Sequence, residues 1–399
     1  MSDVVKCYLK KNRDIPFKNH HPWIYSGAVS KFDSKIKVGD EAAVFDSENN
    51  FIGYGLCNPN SQIRVRLYSF DEKQRLDDNF WRKKIISAIN MRIRTLPHIA
   101  FKQASRIIYS EGDGLSGLIV DRYDEYLVVQ FTSHALWLKK DIILKVLKNN
   151  CFPRGIFLRT EKHILEEEGL EITDSLIAGQ APEKDIIIEE NGLFYYVDIQ
   201  TGQKTGFYHD QRDNRLEIRN YAKEKRCLDI CTYSGGFAMN MARGLAWDIT
   251  AVDISPSALN IARRNAILNG LSMINFVQED AFKFLTDKVK ENALYDMIVL
   301  DPPKFTHSKS SVKQALKGYI QLNTLAMKLL DRSGILVTCS CSGRILLNDF
   351  IQAVHYAGLQ AKKQVRILQY RGAAIDHPIM IQCQESSYLK CLICEIEPL

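Results

Sequence analysis

From about residue 190 onwards the chain alternates short strand-like runs with longer stretches whose apolar residues recur at helical spacing. The runs at Arg226–Ile230, Thr250–Asp253, Asn275–Gln278, Met297–Leu300 and Ile335–Cys339 predict strands, and helices are expected from Ser257, Ala281, Val312 and Leu347. Such alternation builds a parallel sheet with its ligand crevice at the carboxyl ends of the strands. The pattern before it is different. Residues 1 to about 72 carry short β-type runs (VVKCYLK, HPWIYSGAVSKF, KVGDEAAVFD, FIGYGLCN, IRVRLYSF) punctuated by Gly39, Gly53, Gly55 and Pro59, which suggests a small barrel. Between Asp71 and Pro97 an amphipathic helix is expected, with Phe80, Ile85, Ile89, Ile93 and Leu96 on its apolar face and basic residues opposite. A hairpin (EGDGLSGLIVDRYDEYLVVQF), a helix (LWLKKDIILKVLKNN) and a strand (GIFLRT) follow, forming a small α+β unit that ends near Glu190. It holds no recognisable catalytic constellation, so a linking and shaping role is expected.

At 399 residues the chain exceeds what one core usually supports. The pattern divides it at 1–72, 73–190 and 191–399. Its 46% apolar and 25% charged residues are those of an ordinary soluble protein. No signal-like run opens the chain and no apolar run reaches membrane-spanning length, so a cytoplasmic protein is expected. The net charge of +6 permits a polyanionic partner without requiring one. Lys10, Lys11, Arg13 and Lys18 crowd the first turn beside His20, His21 and Trp23, a mixture that suits RNA and equally suits a solvated edge around a core Trp. Ten cysteines are irregularly spaced and are expected to be free thiols. Cys391 and Cys394 form the single CxxC, inside an apolar run without a partner pair, so no metal site is expected.

Chemistry concentrates in RCLDICTYSGGFAMNMARGLAWDITAVD, Arg226 to Asp253. A strand ends at Asp229, a turn of small residues follows (Thr232, Tyr233, Ser234, Gly235, Gly236), then a short helix and a second strand ending in Asp253. Glycines at the start of a helix let backbone approach a ligand, and an acid closing the second strand can accept hydrogen bonds from a ribose. The turn lacks the GxGxxG spacing of dinucleotide sites, which favours another adenosyl ligand. Asp229, Asp253, Asp280 and Asp301 all follow predicted strands. Any one of them is a ready helix N-cap, but four in succession make capping alone an insufficient account.

This half resembles the class I S-adenosylmethionine-dependent methyltransferases, a Rossmann-like α/β fold. The resemblance implies that Asp229, Thr232, Tyr233, Ser234 and Gly235 wrap the methionine part of S-adenosyl-L-methionine. It further implies that Asp253 with Ile254 takes the ribose, and Asp280 with Ala281 the adenine.

The motif Asp301-Pro302-Pro303-Lys304-Phe305 fixes the backbone after a strand and projects a carboxylate into the crevice; Phe305 is an aromatic able to stack a base. Among methyltransferases this motif resembles those of enzymes acting on base or amide nitrogens, and of one branch acting on pyrimidine carbon. ILVTCSCSGR then places Cys341 just past the fifth strand and Cys339 within it. Carbon 5 of a pyrimidine is a poor nucleophile, and a thiolate adding at carbon 6 overcomes that. Cys341 is thus the expected nucleophile, with Asp301 stabilising the charge that develops on the ring.

The segment VDIQTGQKTGFYHDQRDNR, Val197 to Arg215, turns at Gly202 and Gly206 before a polar helix. It closely resembles the lead-in to the cofactor site of the bacterial ribosomal RNA large subunit methyltransferase I family, which makes 5-methylcytosine in 23S rRNA. That resemblance implies that Phe207, Tyr208, Gln211 and Arg212 cover the methionine end of the cofactor. HPWIYSGAV followed by GDEAAVFD resembles a PUA domain, an RNA-binding module, and tips the basic first turn towards RNA. The family combines a PUA β-barrel, a small α+β linker domain and this methyltransferase in that order, and the match extends to SCSG at Ser340–Gly343 and DHP at Asp376–Pro378. The implied substrate is 23S rRNA or a large-subunit precursor; room is left for a homodimer. A base-nitrogen methyltransferase of the same fold and a non-enzymatic RNA-binding assembly factor remain alternatives.

Overall fold

The computed structural model describes residues 4–96, 104–200, 205–305 and 312–399. The chain divides into two compact units: Met1–Ile188 with Val197–His209 and Ile375–Ser386, and Glu189–Tyr196 with Asp210–Ala374 and Ser387–Leu399.

Among the described residues the first unit holds two large sheets. In the six-stranded one, Trp23–Tyr25, Ile63–Ser69, Phe51–Cys57, Glu41–Phe45, Val5–Leu9 and Val29–Phe32 lie side by side in that order. All neighbours are antiparallel except Val5–Leu9 with Glu41–Phe45. Their alternating positions close on Cys7, Leu9, Ile24, Val44, Val65 and Leu67. The five-stranded sheet runs Ser175–Gly179, Gly155–Leu158, Tyr126–Phe131, Leu118–Tyr123 and Ser105–Tyr109.

The helix expected from Asp71 begins later, at Asp78, and extends to Thr95. Asp77 sets this start by accepting a hydrogen bond from the Phe80 amide at 2.7 Å. Phe80, Ile85 and Ile89 are buried as expected, joined by Trp81, whereas Ile93 is exposed. Arg92, on the face expected to be solvated, is fully buried because Asp113 and the Arg106 carbonyl take its guanidinium. Pro97 and Gly202 lie outside the described residues.

The second unit is built on seven strands, which we label β1 Arg226–Ile230, β2 Asp248–Asp253, β3 Ile274–Gln278, β4 Tyr295–Leu300, β5 Leu330–Ser340, β6 Lys363–Arg371 and β7 Lys390–Pro398. Their order is β3-β2-β1-β4-β5-β7-β6. The first five are parallel and β7 is antiparallel to both its neighbours. The helices α1 Gly236–Arg243, α2 Pro256–Leu268, α3 Ala281–Lys290, α4 Val312–Lys328 and α5 Leu347–Ala361 alternate with the strands. Leu228, Ile230, Ile298, Leu300, Leu336, Leu392 and Phe350 join one core, which explains why the central strands read as nearly continuous apolar runs. No described helix is long and apolar enough to cross a membrane.

Candidate functional site

The turn after β1 has an unusual backbone. Cys231, Tyr233 and Gly235 alternate into positive φ, at 65°, 50° and 84°. Two of these three are side-chain-bearing residues in a sparsely populated conformation, a pattern that gathers at ligand sites. The two glycines serve different ends. Gly235 supplies its φ, and a Cβ on Gly236 would lie 2.8 Å from Arg215 Cδ. That arginine is buried and makes two 2.6 Å hydrogen bonds to Glu190, so it has little freedom to withdraw.

Asp229 is fully buried at the end of β1. One carboxylate oxygen accepts from Thr232 Oγ1 at 2.5 Å and from the Ala238 amide at 2.9 Å. The other, Oδ1, has no hydrogen-bond partner among the described residues. Burial pushes this carboxyl up to about 7, against the lowering pull of those two donors. Asp253 closes β2 and braces the same turn, accepting from the Tyr233 amide and from the Ser255 amide, each at 2.9 Å. The cap of α2 is Ser255, which leaves Asp253 free of that duty. Asp280 is different: it is the N-cap of α3, and its side chain accepts from the Lys283 amide at 3.0 Å. Capping therefore accounts for part of its presence, and in part for Asp229, which takes the Ala238 amide in the first turn of α1, but not for Asp253. Ser234 is buried and its carbonyl accepts from Asn265 at 3.0 Å; Ile254 is exposed and Ala281 opens α3.

Asp301 follows β4. Gln211 Nε2 donates to its Oδ1 at 3.0 Å, while Gln211 Oε1 accepts from Asn214 at 2.7 Å, so the amide is fixed in one orientation. Burial and the nearby carboxylates of Asp210 and Asp229 push the Asp301 carboxyl up to about 7. A group held there is shared between acid and carboxylate at neutral pH. Pro302 is buried, Pro303 and Lys304 are exposed, and the Phe305 ring packs 4.8 Å from Tyr319 and 6.4 Å from Phe282. That packing anchors the loop on α4, a role additional to the base stacking expected of Phe305.

Cys341 is the first residue beyond β5, half-buried, with Sγ 3.9 Å from the Pro302 carbonyl oxygen. The thiol thus faces the loop that carries Asp301. Cys339 is buried within β5, opposite Cys391 in the β5·β7 register, and hydrogen bonding to Cys391 with burial raises its thiol well above the ordinary range. Sequence reasoning passed over four residues here. Lys390 is buried at the start of β7; Tyr388 donates its hydroxyl to Asp210; Arg215 with Glu190 forms the ion pair beneath the glycine turn. Lys390 left one signal, a lysine inside an otherwise apolar run.

Arg212 is buried, and its carbonyl accepts from Asn191 at 3.3 Å. Phe207 and Tyr208 are counted with the first unit, where the Phe207 amide donates to the Tyr123 hydroxyl at 3.1 Å. The DHP motif also belongs to that unit. Asp376 accepts from the Arg106 amide and bonds His377 Nδ1, both at 2.9 Å, so this histidine is a buried structural group. A mixed cluster of His21, Cys383 and Glu385 has ligand-like proximity. His21 Nδ1 accepts from the Trp23 amide at 3.2 Å, which leaves its proton on Nε2, facing Glu385 at 3.3 Å; a hydrogen-bonded trio accounts for the arrangement. Trp23 itself donates to Glu111 and Ser116 and lies under Arg66, so it is committed to its own unit.

The fit to an adenosyl sulfonium cofactor rests on the donor set. The unpartnered Asp229 oxygen, Asp253 and Asp301 supply acceptors for a ligand that carries an ammonium, a sulfonium and two ribose hydroxyls.

Comparison with known proteins agrees. Residues 8–70 match the PUA-like domain family, and residues 172–357 match the S-adenosylmethionine-dependent methyltransferase family. A SAM-dependent methyltransferase from Streptococcus mutans superposes with a TM-score of 0.84 at 20% identity, over 98% of this chain and 100% of that one. A methyltransferase structure complexed with SAH gives 0.85 at 20% identity with the same coverage. Both show the fold. Among curated relatives, ribosomal RNA large subunit methyltransferase I of Erwinia tasmaniensis is 35% identical over 98% of this chain and 100% of its own length. The protein of the same name from Klebsiella pneumoniae is 35% identical over 98% of each. The chain belongs to the ribosomal RNA large subunit methyltransferase I family and is built as a PUA-like domain followed by an S-adenosylmethionine-dependent methyltransferase domain.

Proposed function

We propose that the protein methylates carbon 5 of a cytosine in 23S rRNA, with Cys341 as the nucleophile, acting in the cytoplasm on the rRNA or a large-subunit precursor. The observation that carries this reading is the half-buried Cys341 thiol, 3.9 Å from the carbonyl of the loop that presents Asp301. S-adenosylmethionine, when bound, supplies an electrophilic methyl group. Asp229 with the Thr232–Gly235 turn would hold its methionine end, Asp253 with Ile254 its ribose, Asp280 with Ala281 its adenine; Gln211 and Arg212 would close over it.

Cys341 attacks carbon 6, forming an S–C bond and moving electron density to carbon 5, which then takes the methyl group. Asp301, held near neutrality, donates a hydrogen bond to N3 while the ring carries that charge. A base takes the carbon-5 proton, its electron pair reforms the ring double bond, and the S–C bond breaks to return the thiolate and release the product. Pro302, Pro303, Lys304 and Phe305 would border the acceptor base. Residues 1–72 would bring RNA to the site and residues 73–190 would link the two. Sedimentation would test for a homodimer.

Cys341→Ala is the direct test. Methyl transfer to 23S rRNA is expected to fall at least about a thousandfold, the scale of losing a covalent nucleophile. RNA containing 5-fluorocytosine should form a stable adduct with the wild-type protein and none with the variant. Full activity in the variant would instead favour methylation of a base nitrogen.

A further inference from the structure

We infer that Lys390 is a positioning residue for Cys341, holding the turn that carries the thiol and setting a fixed ammonium beside it. This rests on the reading of Cys341 as nucleophile.

Lys390 opens β7 directly opposite Ser340, the last residue of β5 before Cys341. Its Nζ donates to the Ser342 carbonyl at 2.6 Å and to the Tyr388 carbonyl at 2.7 Å. The first of these bonds grips the chain one residue beyond the thiol. Among the described residues no other lysine is as deeply buried. A buried ammonium ordinarily has a carboxylate partner, because removing the charge from water costs several kcal/mol. Here both hydrogen-bond partners are carbonyls. A methionine would fill a similar volume without that cost, so packing alone does not explain an amine.

Electrostatics completes the argument. Burial pulls the ammonium down to about 8, and the one charged neighbour that opposes this is Cys341. The interaction is reciprocal: a thiolate that favours the protonated lysine is itself favoured by it. The other groups facing this corner work the other way or are neutral. Asp301 on the loop after β4, when ionised, repels a thiolate. Tyr319 on α4, whose hydroxyl is 3.4 Å from Ser342 Oγ, is pushed up to about 12 by burial and stays neutral. Among the described residues Arg215 is the cation that acts on Asp301, and Lys390 acts on Cys341. Lys390 is assigned no proton transfer, so the bonds made and broken are those between Cys341, the pyrimidine and the methyl donor.

The test uses full-length Lys390→Met and Lys390→Arg. Alkylation of Cys341 by iodoacetamide would be followed across pH by mass spectrometry of the Cys341 peptide, with folding checked by circular dichroism. The Met variant is expected to move the alkylation midpoint upward, slowing alkylation at pH 7 by about tenfold per pH unit of displacement. Its kcat for methylation should fall in parallel, recover as pH is raised, and leave the KM for S-adenosylmethionine unchanged. Arg should restore most of both. If Met prevents folding, Lys390→Gln keeps donors for the two carbonyls, removes the charge and makes the same test. An unmoved alkylation midpoint in a folded, uncharged variant overturns the assignment while Cys341→Ala remains inactive. Full methylation by Cys341→Ala overturns the nucleophile reading itself, so the two failures are distinct.

Discussion

Asp229 and Asp301 close adjacent strands, and both carboxyls are pushed up to about 7, mainly by burial. For Asp229, which is fully buried, this has a consequence for stability. In the unfolded chain an aspartate titrates near ~3.9, so between that value and about 7 the folded protein binds more protons than the unfolded one. Stability supplied by the neutral carboxyl is therefore present at low pH and lost as pH rises through this window, by up to ~4 kcal/mol for the group alone. Thermal melts of the cofactor-free protein should show stability falling between about pH 4 and pH 7. Asp229→Asn, neutral throughout, should flatten that slope and weaken S-adenosylmethionine binding about tenfold or more in calorimetry. A slope identical to wild type would mean that Asp229 is ionised in the fold.

At the scale of elements, the glycine turn leans on a polar foundation. The helix Arg212–Glu217 has no apolar stripe because Arg212, Asn214 and Arg215 are themselves buried. Arg215 is anchored on Glu190, the last residue of the strand Ile186–Glu190, and the Glu190 carboxylate keeps the buried guanidinium firmly charged against the pull of desolvation. Removing one partner of such a pair leaves an isolated buried charge, which costs about 3–5 kcal/mol. Glu190→Ala should lower the urea midpoint accordingly and loosen cofactor binding through Gly236, although neither residue of the pair would touch the ligand. This foundation was illegible in the sequence, where acids and arginines at helical spacing read as surface pairs. By contrast the strands and helices from β1 to α5 were legible to within two residues at the bounds expected, save for β5, which begins at Leu330 rather than Ile335, a start hidden because its exposed stretch 331–333 is not apolar; burial on both faces makes the rest continuous apolar runs. The four acids were legible as strand-end residues, but their duties were not: Asp280 caps the helix it precedes, whereas Asp229 reaches the first turn of α1 from β1 and keeps its other oxygen without a partner among the described residues. The passage of residues 197–209 into the first unit was equally hidden. It depends on Thr205 and Phe207 bonding Asp121 and Tyr123, each pair 84 positions apart.

For the whole molecule, the net charge of +6 matters less than where exposed cations remain. In the N-terminal turn Lys18 is already engaged, 3.1 Å from Asp14 and 2.8 Å from Asp46, and those two carboxylates raise its pKa. Lys10, Lys11 and Arg13 are exposed, and of these Lys10 reaches the Gly27 carbonyl at 3.1 Å. If the PUA-like domain holds RNA by its backbone through this turn, Lys11 and Arg13 are the turn's cations available to phosphates, and Lys18 serves the fold. Each phosphate that a protein neutralises contributes about 0.7–0.9 to the slope of log affinity against log salt. Lys11→Glu with Arg13→Glu should therefore weaken binding to a 23S rRNA fragment and flatten its salt dependence by about 1.5, the sum for two phosphates, leaving S-adenosylmethionine binding unchanged. Lys18→Gln should do the reverse, lowering the melting temperature with little change in slope. An unaltered slope in the double charge reversal, with the fold intact, would place the RNA path on another face, the basic side of the Asp78–Thr95 helix being the next surface to test by the same measurement.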